Sequence, residues 1–331
     1  MGIDVYVLVM RIRYTLLFVL LAVNYLGRTQ SRFDDHLIEV EIEETGELMQ
    51  FVKTPDLYEE RWDTLPQPNF WRVVMNMPPD SAILNVRDTR EILEIQWIDD
   101  WNKQTEDEKE AYRDTLRKRH GLAPDTRIFM TTGKSDFFQF DKVFPSISRG
   151  IDVFIQNDTD PWYAQSILMI ESPGKLAYSN AGALGPFQLM KTVARNHGLV
   201  VNKYVDERKD FDKSAYGSAH LIRTACVPEA KRILRKFGIN VKAEDEYKLW
   251  FRLTVLHLYH AGAGNVDKLL VNVVKPKSGG MHLIDKIWHS EYGNFGNSSQ
   301  NYSQLALASI LTLDELIHAK CRSMEECSYP Y

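Results

Sequence analysis

One glutamate stands out because three local effects act on its carboxyl in the same direction. Glu171 closes the run Ser166-Ile167-Leu168-Met169-Ile170-Glu171-Ser172. Its neighbours are apolar, so ionisation loses hydration; a helix C-terminus there would repel an anion; and no Lys or Arg precedes it in the run. Each effect raises the pKa, as a general acid working near neutrality requires. Taken locally, a surface glutamate at a helix end is the competing reading. Downstream, Ser179 to Met190 combines small residues, which let backbone approach closely, with Gln188, whose amide both donates and accepts. Tyr259-His260-Ala261-Gly262 and Asn301-Tyr302 follow later in the chain. Two other patterns fall short. His257 and His260 are three apart, but no third ligand is in reach, so packing within a helix is the simpler account and no metal is expected. Gly133-Lys134-Ser135 invites a phosphate-loop reading, yet Ile128 stands where that motif needs glycine.

In this order, the segments around Glu171, Gln188, Tyr259 and Tyr302 resemble the lysozyme-like lytic transglycosylases of the soluble lytic transglycosylase type. Val205-Asp206-Glu207-Arg208 and its surroundings look most like the membrane-bound lytic murein transglycosylase D branch. The resemblance covers roughly residues 137–320. It implies a lysozyme-like fold, with Glu171 as the single catalytic acid and Ser172 and Gln188 as substrate-binding residues. It also implies Tyr259 and Tyr302 at the floor of the site, where a phenol can hydrogen-bond the acid or the sugar. The substrate implied is the peptidoglycan glycan strand, cleaved between N-acetylmuramic acid and N-acetylglucosamine to leave a 1,6-anhydro end, with no cofactor. The chain departs from the family pattern at Pro173-Gly174-Lys175, at His260 where Asn is usual, and at Ser298 where Glu often stands. No lysin-motif repeat follows.

Ordinary glycosidases need two carboxyl groups, and between Glu171 and Asp206 there is neither Asp nor Glu. One acid suffices if the substrate's own C6 hydroxyl is the nucleophile, an intramolecular attack favoured by fixed orientation. Two other outcomes stay open: a hydrolytic muramidase or chitinase recruiting Asp206, Glu207 or Asp212 through folding, and a non-catalytic peptidoglycan-binding envelope protein. A phage- or secretion-associated wall enzyme is a third.

The elements that must position these residues are mostly helical. Asp160-Pro161 supplies a cap and a first-turn proline for a helix that carries Glu171 and stops at Pro173-Gly174. Further helices are expected at 187–196, 214–224, 228–237, 244–260 and 301–320. In the last, Tyr302, Leu305, Ala306, Ser309, Ile310, Leu313 and Ile317 share one face. Before about residue 135 the patterns change. Ile38, Val40 and Ile42 alternate with glutamates as a half-buried strand, Thr45-Gly46 turns the chain, and residues 48–52 return. Residues 82–86 form another apolar run, and Thr105 to Glu108 read as a capping box. The fold class is mainly α: a lysozyme-like catalytic domain over 136–331, preceded by a small α+β region over 31–135 whose role is not readable.

Arg11 and Arg13 precede an apolar run over residues 14–27, which reads as a signal peptide or N-terminal membrane anchor within 1–30. Export to the periplasm or cell envelope of a bacterium is therefore expected, with membrane attachment through residues 14–27 as one form of it. In that compartment Cys226, Cys321 and Cys327 could pair, and spacing does not choose among the pairings. With 331 residues the chain can bury one large or two modest cores. A net charge of −5 argues against a nucleic-acid partner. Oligomeric state is not legible.

Overall fold

The computed structural model describes residues 31–42, 46–171 and 182–320. It divides into two units, the first ending at His36. Of that unit, the described part is a single 3-10 turn, Asp34–His36, with Ser31 N donating to Asp34 Oδ2 at 2.9 Å.

The described chain from Leu37 onward forms the second unit. It opens with an antiparallel hairpin of β1 (Leu37–Ile42) and β2 (Glu47–Val52), in the register Leu37↔Val52 to Ile42↔Glu47. In β1 the glutamates Glu39 and Glu41 are exposed and Ile38 and Val40 half-buried, as the alternation requires. Gly46 lies at φ +67°; the rest of the expected turn falls outside the described residues. Helix α1 (Pro66–Asn76) leads to a second sheet of β3 (Ser81–Val86), β4 (Ile92–Trp97) and β5 (Ile128–Thr132), ordered β4-β3-β5 and antiparallel throughout. Between β4 and β5 runs α2 (Glu106–Arg119), which starts with the full capping box: Thr105 N donates to Glu108 Oε2 at 2.7 Å and Glu108 N to Thr105 Oγ1 at 3.3 Å.

After β5 the described chain is helical, with the main helices α3 (Phe140–Gln156), α4 (Trp162–Glu171), α5 (Phe211–Leu221), α6 (Val227–Arg235), α7 (Leu249–Ala261), α8 (Met281–Trp288) and α9 (Asn297–Lys320). The architecture is thus mainly α with a small α+β region. Several boundaries differ from those expected, each for a local reason. Phe187 and Gln188 belong to a tight turn, and the helix after it starts only at Lys191. Asp210 caps α5 by accepting from Lys213 N at 2.9 Å, so that helix begins at Phe211. Residues 244–260 split into a 3-10 turn, Glu244–Tyr247, and α7, because Lys248 is extended at ψ 140°. Helix α9 is buried on nearly all sides, including Ser303, Gln304, Leu307, Ala308 and Leu311, rather than along one face.

The hydrophobic core does not break near residue 135. Phe51, Trp62, Phe70, Phe144, Leu168, Leu256 and Ile310 belong to one continuous cluster, so β2 and α1 pack into the same core as α3, α4, α7 and α9. The boundary expected at 135/136 marks a change of element type inside one unit. A second, smaller cluster of Leu84, Trp101, Leu116 and Ile128 lies between the three-stranded sheet and α2. Close helix approach depends on Gly150 of α3, where a Cβ would lie 2.8 Å from the Leu168 side chain of α4. Among the described residues no helix is long and apolar enough to cross a membrane; residues 14–27, Cys321 and Cys327 lie outside them.

Candidate active site

Helix α4 ends on Glu171, and residues Trp162 to Ile170 are all buried. A helix apolar all round is a core helix, and its ends are anchored by polar groups. Asp160 Oδ1 accepts from Trp162 N at 3.0 Å, and the same carboxylate takes Arg252 of α7 at 2.8 and 3.2 Å. Midway, the Gln165 amide bonds the backbone of Val52 in β2 from both ends, at 2.8 and 3.1 Å. Trp162 Nε1 donates to Thr54 Oγ1 at 3.1 Å. These contacts fix where the last turn of α4 delivers its carboxyl.

Burial pushes the Glu171 carboxyl up to about 7, with the Tyr302 phenol working in the opposite sense. The residue as a whole is half-buried. Tyr302, in the second turn of α9, is buried, and its own pKa is driven well up by burial and by the Glu171 charge. Its hydroxyl bears on Glu171 without closing a hydrogen bond of full geometry to any of the described residues. Catalytic hydrogen bonds commonly tighten only when substrate arrives.

Tyr259, near the end of α7, has a different assignment from the one its type suggests. Its hydroxyl donates to Phe187 O at 2.6 Å and accepts from Ser218 Oγ of α5 at 3.2 Å. The phenol has one proton, and that proton holds the turn at 185–188. Burial raises its pKa most, and the Glu171 charge adds to this, which puts Tyr259 beside the acid as well.

The turn itself is tightly made. Gly185 sits at φ +87°, and a Cβ there would lie 1.8 Å from Arg208 O. Gln188 adopts φ +46°, with its Nε2 donating to Gly185 O at 3.1 Å. Buried Arg208 grips the loop from behind: Nη1 donates to Gly182 O and Leu189 O, both at 3.0 Å, and Nε and Nη2 reach Asp206 at 2.9 and 2.7 Å. Thus Glu171, Tyr259 and Tyr302 are brought together, with Gln188 on the turn that Tyr259 anchors. Ser172 lies outside the described residues.

The three carboxylates that folding could have recruited are each committed elsewhere. Asp206 is held by Arg208; Glu207 Oε2 accepts from Val200 N at 2.6 Å; and Asp212 is paired to both nitrogens of Arg149 at 2.8 Å. Hydrogen bonds from Arg208 and Arg149 hold Asp206 and Asp212 below the usual carboxylate range. No carboxylate is among the groups acting on the ionisation of Glu171. The intervening segment 172–181 contains no Asp or Glu.

His257 is fully buried, with Nε2 2.8 Å from Ser303 Oγ, which itself accepts from Trp288 Nε1 at 2.8 Å. A buried imidazole kept from water favours its neutral form. Burial pushes its pKa down to about 3, with His260 adding to the shift. Among the described residues no group of three or more His, Cys, Asp or Glu could hold a metal. His260 instead stacks on Tyr302, centroids 4.3 Å apart and planes at 20°. Ser218 and Arg252 were not singled out in the sequence. Arg252 had a signal, a lone charge in the apolar run Leu249–Leu258; Ser218 had none. No family model, curated protein or solved structure matches the chain.

Proposed function

We propose that the chain is a peptidoglycan lytic transglycosylase with Glu171 as its acid and base, a lysozyme-like enzyme exported to the bacterial cell envelope. The observation that carries the reading is a lone carboxyl, protonated near neutral pH, with two phenols beside it and no second carboxylate acting on it.

The chemistry follows from that inventory. At pH 7 about half of Glu171 carries its proton, enough to protonate the glycosidic oxygen as the C1–O bond breaks. The carboxylate left behind takes the proton from the muramoyl C6 hydroxyl as that oxygen attacks C1. The new C1–O6 bond gives a 1,6-anhydro ring, the proton returns to Glu171, and no water is consumed. Tyr302 suits this cycle because its phenol can bond the carboxylate in one half and release it in the other. A hydrolase would need a second carboxylate about 5–10 Å from the first, and Asp206, Glu207 and Asp212 are all engaged by other groups.

The test is mass analysis of fragments released from purified sacculi. Anhydro ends, one water lighter than reducing ends, support the reading, and reducing ends overturn it in favour of a muramidase. Glu171→Gln should release nothing while still binding sacculi; release equal to wild type would refute the role of Glu171, and an inactive wild type that binds would point to an envelope scaffold.

A further inference from the structure

The three-stranded sheet has a groove along one edge that the chemistry of Glu171 leaves unused. In the order β4-β3-β5, strand β5 is an outer strand. Its register shows which backbone groups stay unpaired. Arg87 N donates to Arg127 O and Gly133 N to Ser81 O, both at 2.9 Å. Asn85↔Phe129 and Ile83↔Thr131 lie between them, so the odd-numbered residues of β5 bond to β3. By the antiparallel alternation, the N–H and C=O groups of Ile128, Met130 and Thr132 face the open edge.

Helix α2 crosses one face of this sheet and presents Lys109, Arg113 and Arg117, a stripe at intervals of four, beside that edge. With Trp101, Arg127 and residues 128–130 they line a groove of ≈ 510 Å³. The lining also includes Glu106 and Glu110; Arg117 is held by Glu110, Asp114 and Thr126 O, which leaves Arg113 and Arg127 as the less committed cations. The pairs that Lys109 and Arg113 make with Glu106 and Glu110 are one helical turn apart, and the acid side chains are 81% and 53% exposed, so they exchange readily for a better acceptor. Arg113 Nε is buried with no hydrogen-bond partner among the described residues. The Trp101 ring takes both the Arg113 guanidinium, 5.1 Å from its centroid, and the Lys109 ammonium, at 5.8 Å, which holds both cations at the groove.

Unpaired strand backbone and the cations Arg113 and Arg127 together select one kind of partner. We propose that this groove binds an extended acidic segment of another protein, which adds to β5 as a fourth strand. Main-chain bonds to Ile128, Met130 and Thr132 supply affinity. The two-residue period of a strand places every second side chain toward α2, where a carboxylate meets Arg113 or Arg127.

The probe is a labelled peptide alternating Glu and Val, titrated into the full chain by fluorescence anisotropy and amide NMR. The acidic peptide is expected to bind, its Lys–Val counterpart not to bind, and the amides of Ile128, Met130 and Thr132 to gain exchange protection. A peptide N-methylated at every second residue, in either phase, should bind at least about tenfold more weakly in the phase that removes edge bonds. Arg113→Gln with Arg127→Gln should weaken binding by a similar factor. The N-methyl arm alters only the probe, so it stands whether or not that variant folds. No binding to ~1 mM, equal binding of both N-methylated forms, or equally tight binding of inorganic polyphosphate would overturn the proposal. None of these outcomes depends on wall cleavage, and Glu171→Gln should bind the peptide as wild type does.

Discussion

Replacing Glu171 with glutamine should make the protein more stable at alkaline pH while ending its chemistry. Burial lifts the carboxyl from 4.5 to about 7. At about 1.4 kcal/mol per pH unit, ionising it in the folded protein costs about 3 kcal/mol. Part of the residue reaches solvent, so this is the upper end. The sign follows from proton counting. Below pH 4.5 the folded and unfolded chains both hold the proton, and the carboxyl costs nothing. Between 4.5 and 7 only the folded chain holds it, so stability falls as pH rises; above 7 the whole cost is present. His257 runs the other way. Its folded pKa is pushed down from 6.5 to about 3, so its contribution is present above 6.5 and lost as pH falls. The two slopes oppose each other between 4.5 and 6.5, which flattens the wild-type profile. Subtracting wild type from variant removes His257 and leaves Glu171. Urea midpoints at pH 4, 6 and 8 should therefore show no difference at pH 4 and a gain of about 2–3 kcal/mol for Glu171→Gln at pH 8. In thermal melts that gain is about 3–5 °C. A difference that does not change with pH, or a variant less stable at pH 8, would refute the account of a desolvated acid.

Other consequences can be measured independently. Wall-solubilising activity should fall as pH rises through about 7, where Glu171 loses its proton, and Glu171→Gln should lose at least about 100-fold; activity still rising at pH 9 would contradict this. Gly185→Ala places a Cβ 1.8 Å from Arg208 O at a φ of +87°, and should lower stability by about 2 kcal/mol or more, read as a fall in melting temperature, whereas an unchanged melt would show that the turn can relax. Burial holds the Cys226 thiol at about 12, so iodoacetamide at pH 8 should leave it unmodified in the native protein and label it after denaturation, as read by peptide mass mapping.

The site shows how a mostly apolar scaffold places one charge-bearing group. Helix α4 is a core helix, and a carboxyl at its end is dry because the rest of the helix is buried. The buried Asp160–Arg252 pair ties that helix to α7, which brings Tyr259. Breaking one partner of such a pair costs far more than the pair contributes. Its value here is positional, since it fixes two elements of the site against each other.

What could be read from residues alone was whatever depends on a few neighbours along the chain. The Thr105–Glu108 capping box, the Asp160 cap and the alternating strand at Leu37–Ile42 all follow from side chains within four positions of one another. Tertiary structure alone decided how distant groups divide a limited supply of protons and space. Tyr259 could have faced the acid by residue type, but its one proton goes to Phe187 O, 72 positions away. Asp206, Glu207 and Asp212 were possible second carboxylates until folding gave each its own partner. The division expected at residue 135 vanished because β2 and α1 bury their apolar faces against α3, α4 and α9 rather than in a core of their own. Local spacing sets what a residue can do, and the competition for buried contacts, resolved only when the chain is compact, sets which of those options it takes.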